Sequence, residues 1–150
     1  MLLKNKNILV GVTGSIAIYK ALDLIRLYVK AGAKVRVIMT DGAKKFINPI
    51  TFEAISQNKV LDESSENWDK AQDYNHIDIG KWSDIFVIAP ASANTINALA
   101  NGLGNNLLLR LVTNRKLFCV LQSNPFVNIR FLAFFANWFY QQNDFLAPLL

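Results

Sequence analysis

The chain holds one cysteine, one histidine and four prolines among its 150 residues. A lone cysteine, Cys119, cannot close an intrachain disulfide, which favours a reducing compartment. One histidine and one cysteine do not make a His/Cys ligand cluster, so no metal is expected. No apolar stretch reaches the ~18 uninterrupted residues of a membrane helix, because Asn128, Arg130 and Asn137 break the longest candidate. Met1 to Val12 carries Lys6 inside any apolar signal region and has no cleavage pattern, so it reads as a first strand. A soluble, cytoplasmic protein without membrane contact is expected. Neither G-x-G-x-x-G nor G-x-x-x-x-G-K-[ST] occurs, which removes support for dinucleotide and P-loop sites. Charge of one sign is not concentrated either. The net charge is +5, from 16 Lys and Arg against 11 Asp and Glu, but the basic residues (Lys4, Lys20, Lys44, Lys45, Arg110, Arg115) are scattered. Such scatter is a solvated surface before it is a nucleic-acid groove, and it suits an anionic small ligand equally well.

What is present is the composition of one globular domain: 52% hydrophobic and 18% charged residues. "NILVGV" (Asn7–Val12) is an apolar, largely β-branched run and predicts a strand. Ile18, Ala21, Leu22, Ile25, Tyr28 and Val29 recur at three- and four-residue spacing, which predicts a helix ending at Gly32. "KVRVIM" (Lys34–Met39) predicts a second strand, followed by Thr40 and Asp41 as caps of a short helix. Strand, helix and strand in this order form a βαβ unit, hence a parallel sheet with a right-handed crossover. Pro49–Ser56 reads as a short helix opened by proline. "DESSENWDKAQD" (Asp62–Asp73) reads as an exposed polar excursion. Ile85–Ile88 is a buried strand, Thr95–Ala100 begins a helix, Asn105–Thr113 continues helically, and Lys116–Leu121 is a further strand. This alternation predicts an open, doubly wound α/β sheet. From Phe126 onward neither period continues, and seven of the ten phenylalanines lie in the last third of the chain. That tail stays unplaced, as core, oligomer interface or unstructured segment.

In an open parallel sheet the ligand crevice lies beyond the carboxyl ends of the strands. Three loops end there: "TGS" at Thr13–Ser15, "TDGAKKF" from Thr40, and "PASANT" from Pro90. The first and third run directly into helices, whose N-termini offer unpaired N–H groups and a positive dipole end to a phosphate. One loop at a time, Ser15, Ser92, Asn94 and Thr95 are simply helix caps. Two such loops at one sheet edge divide the work differently: one holds a phosphate while the other contacts a planar ring, as a mononucleotide requires. His76 is a lone histidine whose spacing alone gives it no role. Cys119, inside "KLFCVL", reads as a small buried hydrophobe and not as a nucleophile.

"GVTGSIAIYK" and "NHIDIGKWSDIFVIAPASANTINALANGLGNNLL", in that order, resemble the flavin-dependent cysteine decarboxylases. These comprise phosphopantothenoylcysteine decarboxylase of coenzyme A biosynthesis, including the N-terminal half of its bifunctional bacterial form, and the lantibiotic peptidyl-cysteine decarboxylases. The resemblance spans roughly Lys6 to Leu108, and "GKWSD" and "GSIAIYK" are closer to the coenzyme A branch. It implies a flavodoxin-like fold, bound FMN, and homotrimers or dodecamers with each active site between neighbouring subunits. It places the phosphate loop on Gly14, Ser15 and Ile16, a second flavin loop near Thr40, and further flavin contacts on Ser92, Ala93, Asn94 and Thr95. The family's essential histidine falls on His76.

The implied reaction decarboxylates 4'-phosphopantothenoylcysteine to 4'-phosphopantetheine. Oxidised flavin takes two electrons from the carbon–sulfur end of the cysteinyl group, and the resulting thioaldehyde lets carbon dioxide leave. His76 is then the base or polar partner near the thiol and carboxylate. The enethiol is reduced back by the flavin, a step that needs a proton donor. Downstream the pattern is broken. The family's "P-x-M-N-x-x-M-W" stretch, whose Asn holds the substrate carboxylate, aligns with "VLQSNPFV": Asn124 is present, but the flanking Pro, Met and Trp are not. No counterpart of the family's flap cysteine exists, and Cys119 lies upstream of its place. A sequence that has diverged, or left the ancestral reading frame, after about Leu109 is expected. The alternatives to a decarboxylase are a flavin-binding oligomer without turnover and a flavin prenyltransferase-like enzyme.

Overall fold

The computed structural model describes residues 2–65, 76–113, 118–124 and 127–132, the last two segments by their backbone alone. Five strands form one sheet: β1 (Asn7–Val12), β2 (Lys34–Met39), β3 (Ile85–Ile88), β4 (Phe118–Asn124) and β5 (Val127–Leu132), in the order β2-β1-β3-β4-β5. β1 lies parallel to both β2 and β3, with Val10 opposite Val37 on one side and Val87 on the other. β4 continues the parallel set, Val87 facing Cys119 in the register. The expected doubly wound sheet is therefore present, with one correction: β5 runs antiparallel to β4. "VNIRF" does alternate apolar and polar residues, but for five positions only before "LAFF" ends the pattern, too briefly to stand out in an aromatic-rich tail. Phe126 and the residues after Leu132 lie outside the described chain.

Six helices accompany the strands among the described residues: α1 (Tyr19–Lys30), α2 (Asp41–Lys44), α3 (Pro49–Ser56), α4 (His76–Trp82), α5 (Ala93–Ala100) and α6 (Leu107–Thr113). The two-residue period of the strands divides their side chains between two cores. Val10, Val12, Val35 and Val37 face Ile18, Ala21 and Ile25 of the first helical segment and Phe52 of α3. Leu9, Ile38, Phe86 and Ile88 face Ile79 of α4, Ala98 of α5 and Leu107, Leu108 and Leu111 of α6. Both faces of the sheet are covered, as a parallel sheet requires. The bounds of β1, β2, β3 and α3 coincide with the sequence expectation, because apolar runs stop at Thr13, Thr40, Ala89 and Gln57.

Three helical expectations change. The first helix opens with a 3₁₀ turn, Ile16–Ile18, in which the Ser15 hydroxyl accepts the Ala17 N–H. Its Val29 is exposed, so the buried stripe is narrower than the spacing implied. Gly32, at φ 96°, ends the helix in the left-handed region open to glycine. The helix expected from Thr95 begins at Ala93, with Ser92 as its cap. The helix expected from Asn105 begins at Leu107, since Asn106 accepts the Leu109 N–H at 2.9 Å and is spent as a cap.

Candidate functional site

With β2 on one side of β1 and β3 on the other, the chain order reverses at β1/β3, and a crevice opens beyond the carboxyl ends of these strands. Three loops meet there, and β1 supports all of them. On the β2 side, the Thr40 N–H donates to Val12 O at 3.1 Å, one step beyond the β1–β2 ladder. Gly14 packs against Gly42 so tightly that a Cβ on Gly14 would lie 3.0 Å from the Gly42 carbonyl carbon and oxygen. On the β3 side the ladder ends when the Ala89 N–H donates to Gly11 O. Beyond it, buried Thr13 takes over. Its hydroxyl donates to Pro90 O at 2.6 Å and accepts the Ser92 N–H at 2.8 Å.

The result is a cleft of about 500 Å³, within the size range of small-molecule sites. Gly14, Thr40, Ser92, Asn94 and Thr95 line it, so five of the residues expected to hold a cofactor share one space. Ser15, Ile16 and Ala93 adjoin these positions in the same two loops. Among the described residues the N–H groups of Gly14, Ser15 and Ile16 have no protein acceptor, nor have those of Ala93 and Asn94 at the start of α5. The caps account for the next donors along: Ser15 Oγ takes Ala17 N–H, Ser92 Oγ takes Thr95 N–H at 3.2 Å, and Thr40 Oγ1 takes Ala43 N–H at 3.3 Å. Capping and ligand binding are thus not rival roles. The hydroxyls close the helix ends, while the amides before them at Gly14–Ile16 and at Ala93 and Asn94 keep their capacity to donate to a ligand.

Other cleft residues carried no role in the sequence reading. Asp41 and Gly42 follow Thr40, Asn105 and Asn106 precede α6, and Glu63 comes from the segment read as an exposed excursion. That segment is tied in at its start. Leu107 N–H donates to Glu63 Oε2 at 2.6 Å, and Arg110 pairs with Glu63 Oε1. The neighbouring Asp62 pairs with Lys44 at 2.6 Å and accepts from the hydroxyls of Ser64 and Ser65. Burial pushes the Asp62 carboxyl up, but the Lys44 ammonium and the two hydroxyls outweigh it and hold the group well below the usual carboxylate range. Hydrogen bonds to Asp62 and then Asp41 raise the pKa of Lys44. Residues 66–75 of the excursion lie outside the described chain. The "GLGNNLL" pattern was the one sequence signal that pointed toward Asn105 and Asn106; for Glu63 there was none, since its partners are 44 and 47 positions away.

Ser15, Ile16, Ala93 and His76 are not among the described residues lining the cleft, and the side chain of Asn124 lies outside the described residues. His76 is half-buried as the first residue of α4. Asn124 ends β4, where the β4–β5 register shifts between Gln122 and Asn124, and it pairs through its backbone with Val127. Among the described residues, no group of three or more His, Cys, Asp and Glu could hold a metal ion, and no helix is long and apolar enough to cross a membrane.

Known proteins resemble this chain in sequence and in fold. The chain is 42% identical over 107 residues to the coenzyme A biosynthesis bifunctional protein CoaBC of Bacillus subtilis (strain 168), covering 71% of the chain and 26% of that protein. It is 46% identical over 103 residues to a probable phosphopantothenoylcysteine decarboxylase of Streptococcus mutans, covering 69% of the chain and 57% of that protein. It therefore spans about a quarter of the bifunctional relative and rather more than half of the other. Among solved structures, the FMN binding protein AtHal3 superposes with a TM-score of 0.70 at 28% identity, over 81% of this chain and 67% of that one. The Flavoprotein family pattern matches residues 2–129, past Leu108 and through Asn124, so the resemblance runs further than the quoted motifs reached. A chain matched over that span, with a flavodoxin-like sheet and its ligand crevice at the strand reversal, is a member of the Flavoprotein family.

Proposed function

We propose that the chain binds FMN in the cleft at the β1/β3 reversal and decarboxylates 4'-phosphopantothenoylcysteine to 4'-phosphopantetheine. The observation that carries this reading is the meeting of two loops at one cleft, Gly14 lining it from one and Ser92, Asn94 and Thr95 from the other, each loop with N–H groups that have no acceptor among the described residues. The N–H groups of Gly14, Ser15 and Ile16 hold the FMN phosphate, and a backbone free of side chain at Gly14 lets it approach. Ser92, Ala93, Asn94 and Thr95 contact the ring system, while Thr40 borders it from the β2 side. When bound, the flavin supplies the two-electron sink that makes loss of carbon dioxide possible.

His76 is the base or polar partner of the substrate's cysteinyl end, and Asn124 holds its carboxylate. His76 stands apart from the described cleft-lining residues of its own chain, which suits a homotrimer, or a dodecamer built from trimers, whose sites are completed by neighbouring subunits. The working location is the cytoplasm, where the substrate's thiol stays reduced.

Purified chain reconstituted with FMN should release carbon dioxide from phosphopantothenoylcysteine. His76→Asn should abolish that release while leaving the flavin bound; loss of flavin from this variant would show that His76 has a different role. A yellow native protein that releases nothing would exclude the decarboxylase reading. It would favour a flavin-binding protein without turnover, the reading supported by the missing Pro, Met and Trp around Asn124.

A further inference from the structure

We infer that Thr13 is the positioning residue that sets the two halves of the flavin site at a fixed separation, an inference that rests on the cleft binding FMN. Thr13 touches no part of the cleft: it is 1% exposed and absent from its lining. Yet it is the residue through which the β1 loop grips the β3 loop. The regular β1–β3 pairing stops at Gly11 and Ile88, and the Ala89 N–H closes the last rung on Gly11 O. From there the strands diverge into loops of unequal shape, and backbone pairing cannot continue beyond the Thr13 N–H contact with Pro90 O at 3.3 Å. The Thr13 hydroxyl fills the gap by using both of its capacities, donating to Pro90 O at 2.6 Å and accepting from Ser92 N–H at 2.8 Å.

Each partner sits at a decisive point. Thr13 is followed at once by the Gly14–Ile16 amides, and Ser92 is the cap of α5, immediately before the Ala93 and Asn94 amides. A ligand with a phosphate at one end and a planar ring at the other spans both loops, so its affinity depends on their relative placement. A free phosphate at Gly14–Ile16 does not. The residue type follows from these demands. Valine has threonine's shape but neither donates nor accepts. Serine keeps both hydrogen bonds and loses only a methyl group. Threonine adds a β-branched side chain whose χ1 is restricted. Because the hydroxyl is buried, removing it leaves the Ser92 N–H without its acceptor.

The test compares native chain, Thr13→Val and Thr13→Ser, each checked for folding by circular dichroism. Titration with FMN by fluorescence quenching should show binding weakened about tenfold to a hundredfold in Thr13→Val, the scale at which small misplacement acts, and near-native binding in Thr13→Ser. Inorganic phosphate, followed by its effect on the Gly14–Ile16 amide resonances, should bind all three alike. Thr13→Val that binds FMN as tightly as native chain, or Thr13→Ser as weak as Thr13→Val, overturns the inference. So does an equal loss of phosphate and FMN binding, which marks a general loosening of the fold. Amide exchange on the unliganded chain separates this from the cofactor assignment. Ser92 N–H should be protected in native chain and in Thr13→Ser, and fast in Thr13→Val. A native chain that shows this pattern but takes no FMN sinks the cofactor assignment and leaves the grip of Thr13 on Ser92 standing, whereas an unprotected Ser92 N–H in native chain removes the grip itself.

Discussion

Gly14 and Gly42 face each other across the junction of two cleft loops, yet only one of them is required to be glycine. A Cβ built on Gly14 lies 3.0 Å from both the carbonyl carbon and the oxygen of Gly42. Both obstacles are backbone, so relief demands movement of the α2 start and not the rotation of a side chain. A Cβ built on Gly42 meets nothing nearer than Gly14 Cα at 3.6 Å, an ordinary contact. Gly42 also lies inside α2, where alanine is favoured by up to about 1 kcal/mol. Gly14→Ala should therefore cost roughly 1–3 kcal/mol as an overpacked site, lowering the melting midpoint by roughly 2–4 °C per kcal/mol for a chain of this size. Gly42→Ala should be neutral or slightly stabilising. Thermal unfolding followed by far-ultraviolet circular dichroism separates the two, and FMN titration should show weaker binding for Gly14→Ala, whose displaced loop carries the phosphate amides. Equal midpoints for the two variants, or a Gly14→Ala protein as stable as native, would refute the argument that backbone proximity dictates glycine at position 14.

Ser92→Ala removes the acceptor of the Thr95 N–H at the start of α5 and should cost about 1 kcal/mol, with FMN binding weakened; Ser92→Thr, which keeps a capping hydroxyl, should restore both in the same melting and titration measurements. The Asp62 carboxyl is held below its ordinary value of 3.8, so the unfolded chain takes up its proton first as pH falls. The stability it contributes is complete above about pH 5 and is lost progressively as pH drops through the lowered value. Asp62→Asn should flatten this acid limb and, because the Lys44 partner is partly exposed, cost no more than about 1 kcal/mol at neutral pH; urea midpoints between acid and neutral pH measure both effects.

Local physics made a large part of this fold legible. The runs "NILVGV", "KVRVIM" and "IFVI" are short, apolar and bounded by Thr, Asp, Ala or Pro, so their strand ends could be read to the residue. Pro49 at the first turn did the same for α3. The candidate cofactor residues were legible too, because Ser15, Thr40 and Ser92 each combine a capping side chain with a position just past a strand. What escaped was contact between residues distant in sequence. Thr13 meets Pro90 and Ser92 at separations of 77 and 79 residues, and no local spacing encodes such a pair. Glu63 and Asp62 sit at the start of a polar stretch whose composition says only "exposed", while their ion pairs with Arg110 and Lys44 give that start a fixed place beside the cleft. β5 was missed for a different reason: its alternation is genuine but shorter than the aromatic background around it.

The division between legible and hidden residues also bears on the proposed function. Every described residue lining the cleft lies at or before Leu108, and the Gly14–Ile16 loop follows β1 while the Ser92–Thr95 loop follows β3, both strands being paired on both sides. The described part of the proposed cofactor site is therefore built from the stretch that carries the quoted motifs. Of the residues proposed for substrate chemistry, His76 at the start of α4 is not among the described lining, and Asn124 ends β4. The proposed function thus assigns flavin binding to the cleft loops and decarboxylation to His76 and Asn124, and His76→Asn separates the two: carbon dioxide release should stop while the flavin stays bound.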